Sequence, residues 1–238
     1  MPHCLLVRPR SRLSLWVRSR SSSHGVAPSP THSAPISPKR WTTCDNWIQM
    51  AVLARPQQAD DVAEILVSAE QIAAKVREIG AKIAADYQGK DLVLVSILKG
   101  ALPFLADLMR ATQIPLALDF LEVSSYGEGT ESTGAVRILK DLANPIEGRH
   151  VLVVEDILDT GHTLSYVFDH LRSQRPESVR LCVLLDKPAR RVIPVKIDYR
   201  GFEIPDKFVV GYGLDYAERY RNLPFVGVLK PEVYARGA

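Results

Sequence analysis

A continuous apolar run from Leu92 to Leu98 (LVLVSIL) constrains the fold more than any other feature of the chain. It has the length of a strand, and it lacks the polar alternation of a strand with one solvated face. Such runs are found in parallel sheets that are covered on both faces. The run ends at Lys99-Gly100, and a segment with helical character follows from Ala101. The sequence therefore predicts a buried strand that leads through a short loop into a helix.

The same order of strand, loop and helix recurs along the chain after Met50. Ser68 and Gln71 have the spacing of a helix capping box, and apolar residues at helical spacing follow them. The predicted strands are Val62–Val67, Leu92–Leu98, Leu116–Ser124, Ala135–Lys140, His150–Val154 and Val179–Leu185, with helices after Ser68, from Ala101 and from Thr163. This alternation is typical of an α/β fold with a doubly wound, mostly parallel sheet flanked by helices. Short apolar runs between Pro and Gly at 189–238 predict a small edge subdomain.

The first part of the chain has a different composition. Residues 1–49 hold seven Lys and Arg against the single acid Asp45, together with nine serines and six prolines. Such a segment cannot bury enough apolar surface to offset the entropy lost on ordering, so we expect a disordered basic extension. Two interpretations stay open: an organelle transit peptide, and a non-native start that precedes the true start at Met50. The second is favoured, because composition alone is weak evidence for targeting.

Charge and composition exclude several classes of protein. The net charge is +3, so removing the +6 of residues 1–49 leaves −3 for the body of the chain. Nucleic-acid-binding domains present a basic surface, so no nucleic-acid partner is expected. No apolar run reaches the roughly 18 residues of a membrane span, so no membrane partner is expected. The three cysteines, Cys4, Cys44 and Cys182, are scattered without a C-x-x-C pair, which favours a reducing, cytoplasmic location.

One segment carries the residue types of a site for a phosphorylated sugar. Glu155 and Asp156 follow an apolar strand, and ligands of open parallel sheets bind at that end of the strands. Adjacent carboxylates suit sugar hydroxyls or a hydrated magnesium ion. The loop Asp159–Thr163 then leads into a helix, whose unpaired N–H groups attract a phosphate. Acids and amides so close together predict a ligand that combines ribose with phosphate.

Other interpretations of this segment fit less well. The plainest is a solvated strand end without function. A P-loop nucleotidase would need the pattern G-x-x-x-x-G-K-[ST], which the chain lacks. Asp159-Thr160-Gly161 also spells the aspartic-protease triplet, but it occurs once and opens a helix, whereas those enzymes pair two carboxylates.

The segment resembles the signature of the phosphoribosyltransferases that use phosphoribosyl pyrophosphate. From about Ile65 to Tyr234 the chain is similar to the hypoxanthine-guanine group of that family, although His162 stands where some members have lysine. Further matching motifs are Leu98-Lys99-Gly100, Ser125-Tyr126, Lys187, Gly201–Tyr212 and Leu214-Asp215-Tyr216. The resemblance implies a phosphoribosyltransferase domain at 50–238. Its implied reaction is the transfer of phosphoribose to hypoxanthine or guanine with release of pyrophosphate, in purine salvage.

The resemblance also implies a role for each matched residue. Asp159 is the general base at purine N7. The ribose 5′-phosphate is held by Glu155, Asp156, Thr160, Gly161, His162 and Thr163. Pyrophosphate is held by Lys99, Gly100, Ser125, Tyr126 and Arg221, and the purine by Lys187, Phe208, Val209 and Asp215. The implied cofactor is Mg²⁺, held by Glu155, Asp156 and Asp215, while a cis peptide at Leu98-Lys99 is left open.

The implied partners are phosphoribosyl pyrophosphate, 6-oxopurine bases and further copies of the chain, in a homodimer or homotetramer. The preference among hypoxanthine, guanine and xanthine stays open. So does a different class of protein, a regulator on the same fold that binds nucleotides or RNA without transferase activity. The acid at Asp159 and the net negative body favour the enzyme.

Overall fold

The computed structural model describes residues 57–125 and 136–235. Its strands are β1 (Val62–Val67), β2 (Leu92–Leu98), β3 (Ala117–Ser125), β4 (Val136–Lys140), β5 (His150–Leu158), β6 (Ser178–Asp186), β7 (Tyr199–Glu203), β8 (Val209–Val210) and β9 (Val226–Leu229). Its helices are α1 (Ala69–Asp86), α2 (Leu102–Ala111), α3 (His162–Ser173) and α4 (Pro231–Tyr234), with 3₁₀ turns at Gln57–Asp61 and Pro188–Arg190. None of the described helices has the length and hydropathy needed to cross a bilayer. The predicted extension 1–49 falls outside the described residues.

Six strands form the main sheet in the order β4-β3-β2-β5-β6-β7. The pairs β2–β3, β2–β5, β5–β6 and β6–β7 are parallel, and the edge strand β4 is antiparallel to β3. Val93 of β2 lies in register with Ala117 on one side and with Val151 on the other. The predicted α/β fold with its doubly wound, mostly parallel sheet is confirmed, and the run Leu92–Leu98 lies inside the sheet.

Apolar side chains cover the main sheet on both faces. Alternate residues of a strand point to opposite faces, so β2 contributes to two cores. Leu92 and Leu94 pack with residues of α1 and α2, whereas Val93 and Val95 pack with residues of α3. All four side chains are at most 2% exposed. This burial on both sides explains why the run has no polar alternation.

Helix α1 begins as its sequence predicts. The Ser68 hydroxyl accepts a hydrogen bond from the N–H of Gln71 at 3.3 Å, and the Gln71 side chain accepts one from the N–H of Ser68 at 2.8 Å. This capping box satisfies two N–H groups near the start of the helix, where intrahelical acceptors are lacking. The apolar face that then packs on the sheet comprises Ile72, Val76, Ile79 and Ile83.

Strand β1 does not belong to the main sheet, which corrects the order expected from the alternating pattern. It pairs with β9, with Val62 opposite Leu229, and β9 pairs with β8, so three antiparallel strands form a separate small sheet. Residues 63–65 of β1 are exposed, unlike the buried strands of the main sheet. A local pattern reports burial but cannot identify a partner strand that lies at the far end of the chain.

The C-terminal region divides between the two sheets. β7 joins the main sheet beside β6, whereas β8 and β9 join β1 in the small sheet. The small sheet matches the predicted edge subdomain, but β7 was not expected to extend the main sheet. This division brings the residues after β6 close to those before β8.

Strand β5 continues through Glu155 and Asp156 to Leu158, whereas the sequence predicted its end at Val154. Its pairing with β2 stops at Val154, but its pairing with β6 continues to Leu158. The acids therefore lie inside the strand, because one neighbour keeps the backbone extended where the side chains become polar.

Candidate active site

The strand order creates a crevice between β2 and β5. From β2 the sheet continues through β3 to β4, and from β5 it continues the other way through β6 to β7. Ligands of open α/β sheets bind where the winding reverses, outside the carboxyl ends of the strands. At this point β2 ends in the loop Lys99-Gly100 while β5 continues with its acids. The Leu98–Lys99 peptide bond, which the sequence left open, is cis.

Glu155 and Asp156 are consecutive carboxylates in this crevice, and Glu155 is buried while Asp156 is partly buried. Burial raises the pKa of Glu155 well above its ordinary value, and the neighbouring Asp156 charge raises it further. Burial also raises the pKa of Asp156 to about 6, opposed by a hydrogen bond from the N–H of Ile157 at 2.7 Å and by the charge of Arg221. Carboxylates in such an environment favour a ligand that brings positive charge or hydroxyl donors.

Three chain segments meet at Asp156 without side chains between them. A Cβ atom on Gly100 would overlap the Asp156 carboxylate, and one on Gly213 would overlap the carbonyl oxygen of Gly100. Gly213 also has a φ of +102°, which L side chains rarely adopt. Glycine at both positions therefore lets the loop after β2 and the turn around Gly213 lie directly against the acids.

An ion pair between Asp215 and Arg221 continues this cluster. Nη2 of Arg221 lies 2.9 Å from Oδ1 of Asp215, and Nη1 donates to the carbonyl of Gly213 at 2.8 Å. Glu218 lies 3.4 Å from the same guanidinium and 3.3 Å from Nζ of Lys99. Glu218 thus links Lys99 and Arg221, two of the residues that are predicted to hold pyrophosphate.

The three predicted magnesium ligands are not gathered into one cluster. Within residues 57–125 and 136–235, no group of three or more His, Cys, Asp or Glu side chains could hold a metal ion. Asp215 pairs with Arg221 instead. A cation at Glu155 and Asp156 would therefore take further ligands from water or substrate, as magnesium commonly does.

The loop after β5 presents main-chain N–H groups at the start of α3. Gly161 caps the helix with a φ of +92°, and no side chain caps it by hydrogen bonding. No acceptor in the described part of the chain bonds to the N–H groups of Thr160, Gly161, His162 or Thr163. Unpaired N–H groups at a helix start form an anion site, and this loop has the geometry expected of one.

The side chain of Asp159, the predicted general base, is 36% exposed. Its Oδ1 atom is buried and accepts no hydrogen bond from the described residues. Nε of Arg190 lies 3.3 Å from that oxygen. The exposed part of this side chain, rather than the buried Oδ1 beside Arg190, is what a ligand can reach.

The Lys187 ammonium lies beside the chain segment that carries Phe208 and Val209. Lys187 is 5% exposed, and its ammonium donates to the carbonyl of Lys207 at 3.0 Å. Phe208 is 43% exposed and meets Tyr216 edge-on at a centroid distance of 5.7 Å, while Val209 is buried in β8. A buried ammonium near an open aromatic ring suits a flat ligand with a hydrogen-bond acceptor.

Sequence reasoning missed Asp186 and Arg191. Nη2 of Arg191 lies 2.5 Å from the buried carboxylate of Asp186, and its Nε donates to the carbonyl of Asp159 at 2.9 Å. Nε of Arg200 lies 3.1 Å from the other oxygen of Asp186. The available signal was an acid at the end of an apolar run followed by Arg190 and Arg191, which also fits a solvated loop.

Two residues that are predicted to hold pyrophosphate have no described side-chain position. Tyr126 lies outside the described residues, and Ser125 is described only as the last residue of β3. Their contribution stays a prediction.

Comparison with known proteins identifies the family. A model of the phosphoribosyl transferase domain matches residues 62–217, more than half of the chain. The hypoxanthine-guanine phosphoribosyltransferase of Bacillus subtilis is 52% identical over 174 residues, which are 73% of this chain and 97% of that protein. The chain belongs to the hypoxanthine-guanine phosphoribosyltransferase family. The resemblance inferred from its motifs is confirmed.

The relatives of this chain include a longer protein and solved structures. The bifunctional protein TilS/HprT of Listeria innocua is 51% identical over 176 residues, and this chain spans only 27% of its length. A crystal structure of hypoxanthine phosphoribosyltransferase from Staphylococcus aureus superposes with a TM-score of 0.74 at 50% identity. The match covers 76% of this chain and 98% of that one, so the fold agrees throughout the relative.

Replacing Gly161 by Ala should destabilise the phosphoribosyltransferase by about 2–4 kcal/mol. The new Cβ would overlap the carbonyl oxygen of Ile193, in addition to the strain of a φ of +92°. Gly148→Ala is a matched control, because Gly148 has a φ of +70° but nothing within 4 Å of the Cβ position. The control should lose about 1 kcal/mol. Urea unfolding measures both, and equal losses would contradict the close packing of Gly161.

Asp156→Asn should stabilise the metal-free protein at neutral pH. Because the pKa of Asp156 is raised from 3.8 to about 6, the folded state binds this proton more tightly than the unfolded state. The wild type therefore loses stability as the pH rises from about 4 to about 6. Asn cannot ionise, so its gain should grow over this interval to about 3 kcal/mol, the equivalent of a two-unit shift. Urea unfolding in EDTA at pH 4 to 7 measures the gain.

Asp91→Asn is a control with the opposite sign. Arg149 bonds Asp91 at 2.8 and 2.7 Å and lowers the pKa of that carboxyl. A lowered pKa adds stability that is lost as the pH falls, so this variant should be less stable than the wild type at pH 7 and approach it near pH 3. A gain for Asp156→Asn that is the same at pH 4 and pH 7 would refute its raised pKa.

Proposed function

We propose that this chain transfers phosphoribose from phosphoribosyl pyrophosphate to hypoxanthine or guanine, with magnesium, in purine salvage. The observation that carries the proposal is a backbone hydrogen bond that joins the segments of two differently charged subsites. The main-chain N–H of Lys187 donates to the carbonyl of Leu158 at 3.0 Å, so the residue with the buried ammonium lies beside the strand end that leads into the loop with unpaired N–H groups. In a nucleotide one bond joins the base to the sugar phosphate, so the two subsites must lie next to each other.

The proposed ribose 5′-phosphate subsite lies at the end of β5. The N–H groups of residues 160–163 would hold the phosphate, supplemented by the hydroxyls of Thr160 and Thr163 and by exposed His162. Glu155 and Asp156 would accept hydrogen bonds from the ribose hydroxyls. The unpaired N–H groups and the acids support this arrangement. The N–H groups lack an acceptor, which the phosphate supplies, and the acids lack hydroxyl donors, which the ribose supplies.

The proposed pyrophosphate subsite comprises Lys99, Gly100 and Arg221, completed by Ser125 and Tyr126. Nε of Arg221 is buried and donates to no acceptor among the described residues, so its N–H is left for a phosphate oxygen. A guanidinium keeps its charge at any physiological pH and holds phosphate oxygens in a fixed fork. It would therefore stabilise the charge that develops on the leaving pyrophosphate.

Magnesium is the proposed cofactor, and the donor set at Glu155 and Asp156 fits it. Both side chains offer oxygen, and burial raises the pKa of both, so a nearby divalent cation would favour their ionised forms. Magnesium is typically bound by one or two carboxylates together with water and substrate phosphates. When bound it would neutralise charge on the leaving group. Asp215 would assist through a water molecule.

The proposed purine subsite uses Lys187, Phe208 and Val209, with Asp215 at its edge. The Lys187 ammonium would donate to the oxygen at purine C6, and the exposed Phe208 ring would stack on the base. Adenine would place an amino group, which is also a hydrogen-bond donor, against this ammonium, so 6-oxopurines are preferred. The buried position of Lys187, 5% exposed, supports this selection because an unmet donor is costly there.

Asp159 is the proposed general base at purine N7. As N9 attacks ribose C1, the base develops positive charge, and the carboxylate would take or hold the N7 proton. Its exposed fraction of 36% supports access to a ligand. Nε of Arg190 lies 3.3 Å from the buried Oδ1 and would hold the side chain in place.

We also propose a domain at 50–238, a homodimer or homotetramer, and a cytoplasmic location. The assembly follows from the family resemblance. The location follows from the three scattered cysteines of the sequence, which form no C-x-x-C pair.

Turnover with each of four bases tests the function directly. Purified protein with phosphoribosyl pyrophosphate and magnesium should convert hypoxanthine or guanine to the nucleotide, while adenine should react at least about 100-fold more slowly. Xanthine turnover ranks the third 6-oxopurine. No turnover with hypoxanthine or guanine would refute the proposal and favour a regulatory protein on the same fold.

Asp159→Asn should lower kcat by about 10²- to 10⁴-fold, the range of general-base catalysis, with little change in substrate KM. The amide keeps the shape of the side chain but cannot accept the proton. Asp169→Asn is the matched control, because Asp169 is 76% exposed on α3 and pairs with Arg172 at 3.7 Å. Steady-state kinetics should leave the control unchanged, and an unchanged kcat for Asp159→Asn would exclude the role of base.

A further inference from the structure

Three consecutive carbonyl groups of the loop after β5 bond to the segment after β6. The carbonyl of Leu158 accepts a hydrogen bond from Nη2 of Arg191 at 3.2 Å, and the carbonyl of Asp159 accepts one from its Nε at 2.9 Å. The carbonyl of Thr160 accepts two more, both at 2.9 Å, from the N–H groups of residues 192–193. One side chain and the backbone after it thus hold the loop.

These bonds set the direction of the loop's donors. In a trans peptide unit the N–H points opposite to the carbonyl of the preceding residue. Holding the carbonyl of Asp159 toward the Arg191 guanidinium therefore turns the N–H of Thr160 the other way. Holding the carbonyl of Thr160 toward the N–H groups of residues 192–193 does the same for the N–H of Gly161. Those two N–H groups belong to the set that has no acceptor among the described residues.

Arg191 is itself held by the rigid part of the fold. Its side chain is 17% exposed and lies 2.5 Å from the carboxylate of Asp186, whose side chain is 3% exposed. Asp186 ends β6 and pairs in register with Leu158. Arg200 contacts the other carboxylate oxygen at 3.1 Å. The guanidinium therefore fixes the loop relative to the end of β6.

We propose that Arg191 is a positioning residue for the 5′-phosphate subsite. Its guanidinium acts by orienting the main-chain donor of Thr160 through the carbonyl of Asp159, and the backbone directly after it orients the donor of Gly161. The inference rests on the proposed function, because the ligand of those donors is the sugar phosphate. Lysine cannot replace it fully, since one ammonium cannot reach three acceptors with the fixed geometry of a guanidinium.

The test is kinetic analysis of Arg191→Met and Arg191→Lys together with calorimetric binding of ribose 5-phosphate. The Met variant should raise the KM for phosphoribosyl pyrophosphate by about 10- to 100-fold, as expected for misplaced binding groups. Its KM for hypoxanthine should change by less than about 3-fold, because the Lys187 ammonium and Phe208 keep their contacts. The Lys variant should lie between Met and wild type.

A second variant covers the case in which Arg191→Met fails to fold. Removing the guanidinium alone leaves the buried Asp186 with one partner, which is destabilising. Asp186→Asn combined with Arg191→Met removes both charges and should fold. It should show the same weakening toward ribose 5-phosphate and phosphoribosyl pyrophosphate.

Arg172→Met is the matched control, because Arg172 is 63% exposed on α3 and its pair with Asp169 is long at 3.7 Å. It should leave all constants unchanged. A folded double variant with wild-type affinity for ribose 5-phosphate would overturn the role of Arg191. A wild type that binds ribose 5-phosphate without turnover would overturn the proposed reaction, while weaker binding by the variants would still support the positioning role.

Discussion

Two consecutive carboxylates buried at the end of a strand are unfavourable unless a partner compensates their charge, and much of the site is arranged around Glu155 and Asp156. Pairing with β6 keeps their backbone extended after β2 has turned away. Arg221 and the N–H of Ile157 reduce the unfavourable charge of Asp156 without abolishing it. The part of this unfavourable charge that stays uncompensated lowers the stability of the protein in favour of binding, as at many functional sites.

Much of this centre is built from backbone contacts. Gly100, Gly161 and Gly213 each lie where a Cβ would overlap a neighbouring oxygen. The loop after β2 therefore touches the acids, and the loop after β5 touches the backbone near Ile193. Side chains at these positions would separate segments whose main-chain groups must stay within hydrogen-bond reach. The close approach of rigid elements fixes the positions of these loops, and side-chain contacts could hardly replace it.

The sequence predicted features that depend on neighbouring residues and missed those that depend on distant ones. The run Leu92–Leu98 reports its two-sided burial directly, and the capping box at Ser68 is a local arrangement. The acids and the loop Asp159–Thr163 could be recognised because they are contiguous. The partner of β1 could not, because pairing with β9 joins opposite ends of the described chain. The bonds of Arg191 were also invisible, since a pattern does not show which polar groups become buried together. The roles proposed for Lys187 and Arg221 came from family resemblance, not from spacing.

The pairing of β1 with β9 has a consequence for the order in which the two sheets form during synthesis. β9 spans Val226–Leu229, so the small sheet cannot close until the chain has been synthesised through Leu229. The main sheet, with its acids and its phosphate loop, is translated earlier and can organise first. β8, which carries Val209 directly after Phe208, gains its partner strand only at the end. A nascent chain that stalls before β9 would therefore hold the proposed sugar-phosphate subsite without the strand that supports the proposed wall for the base.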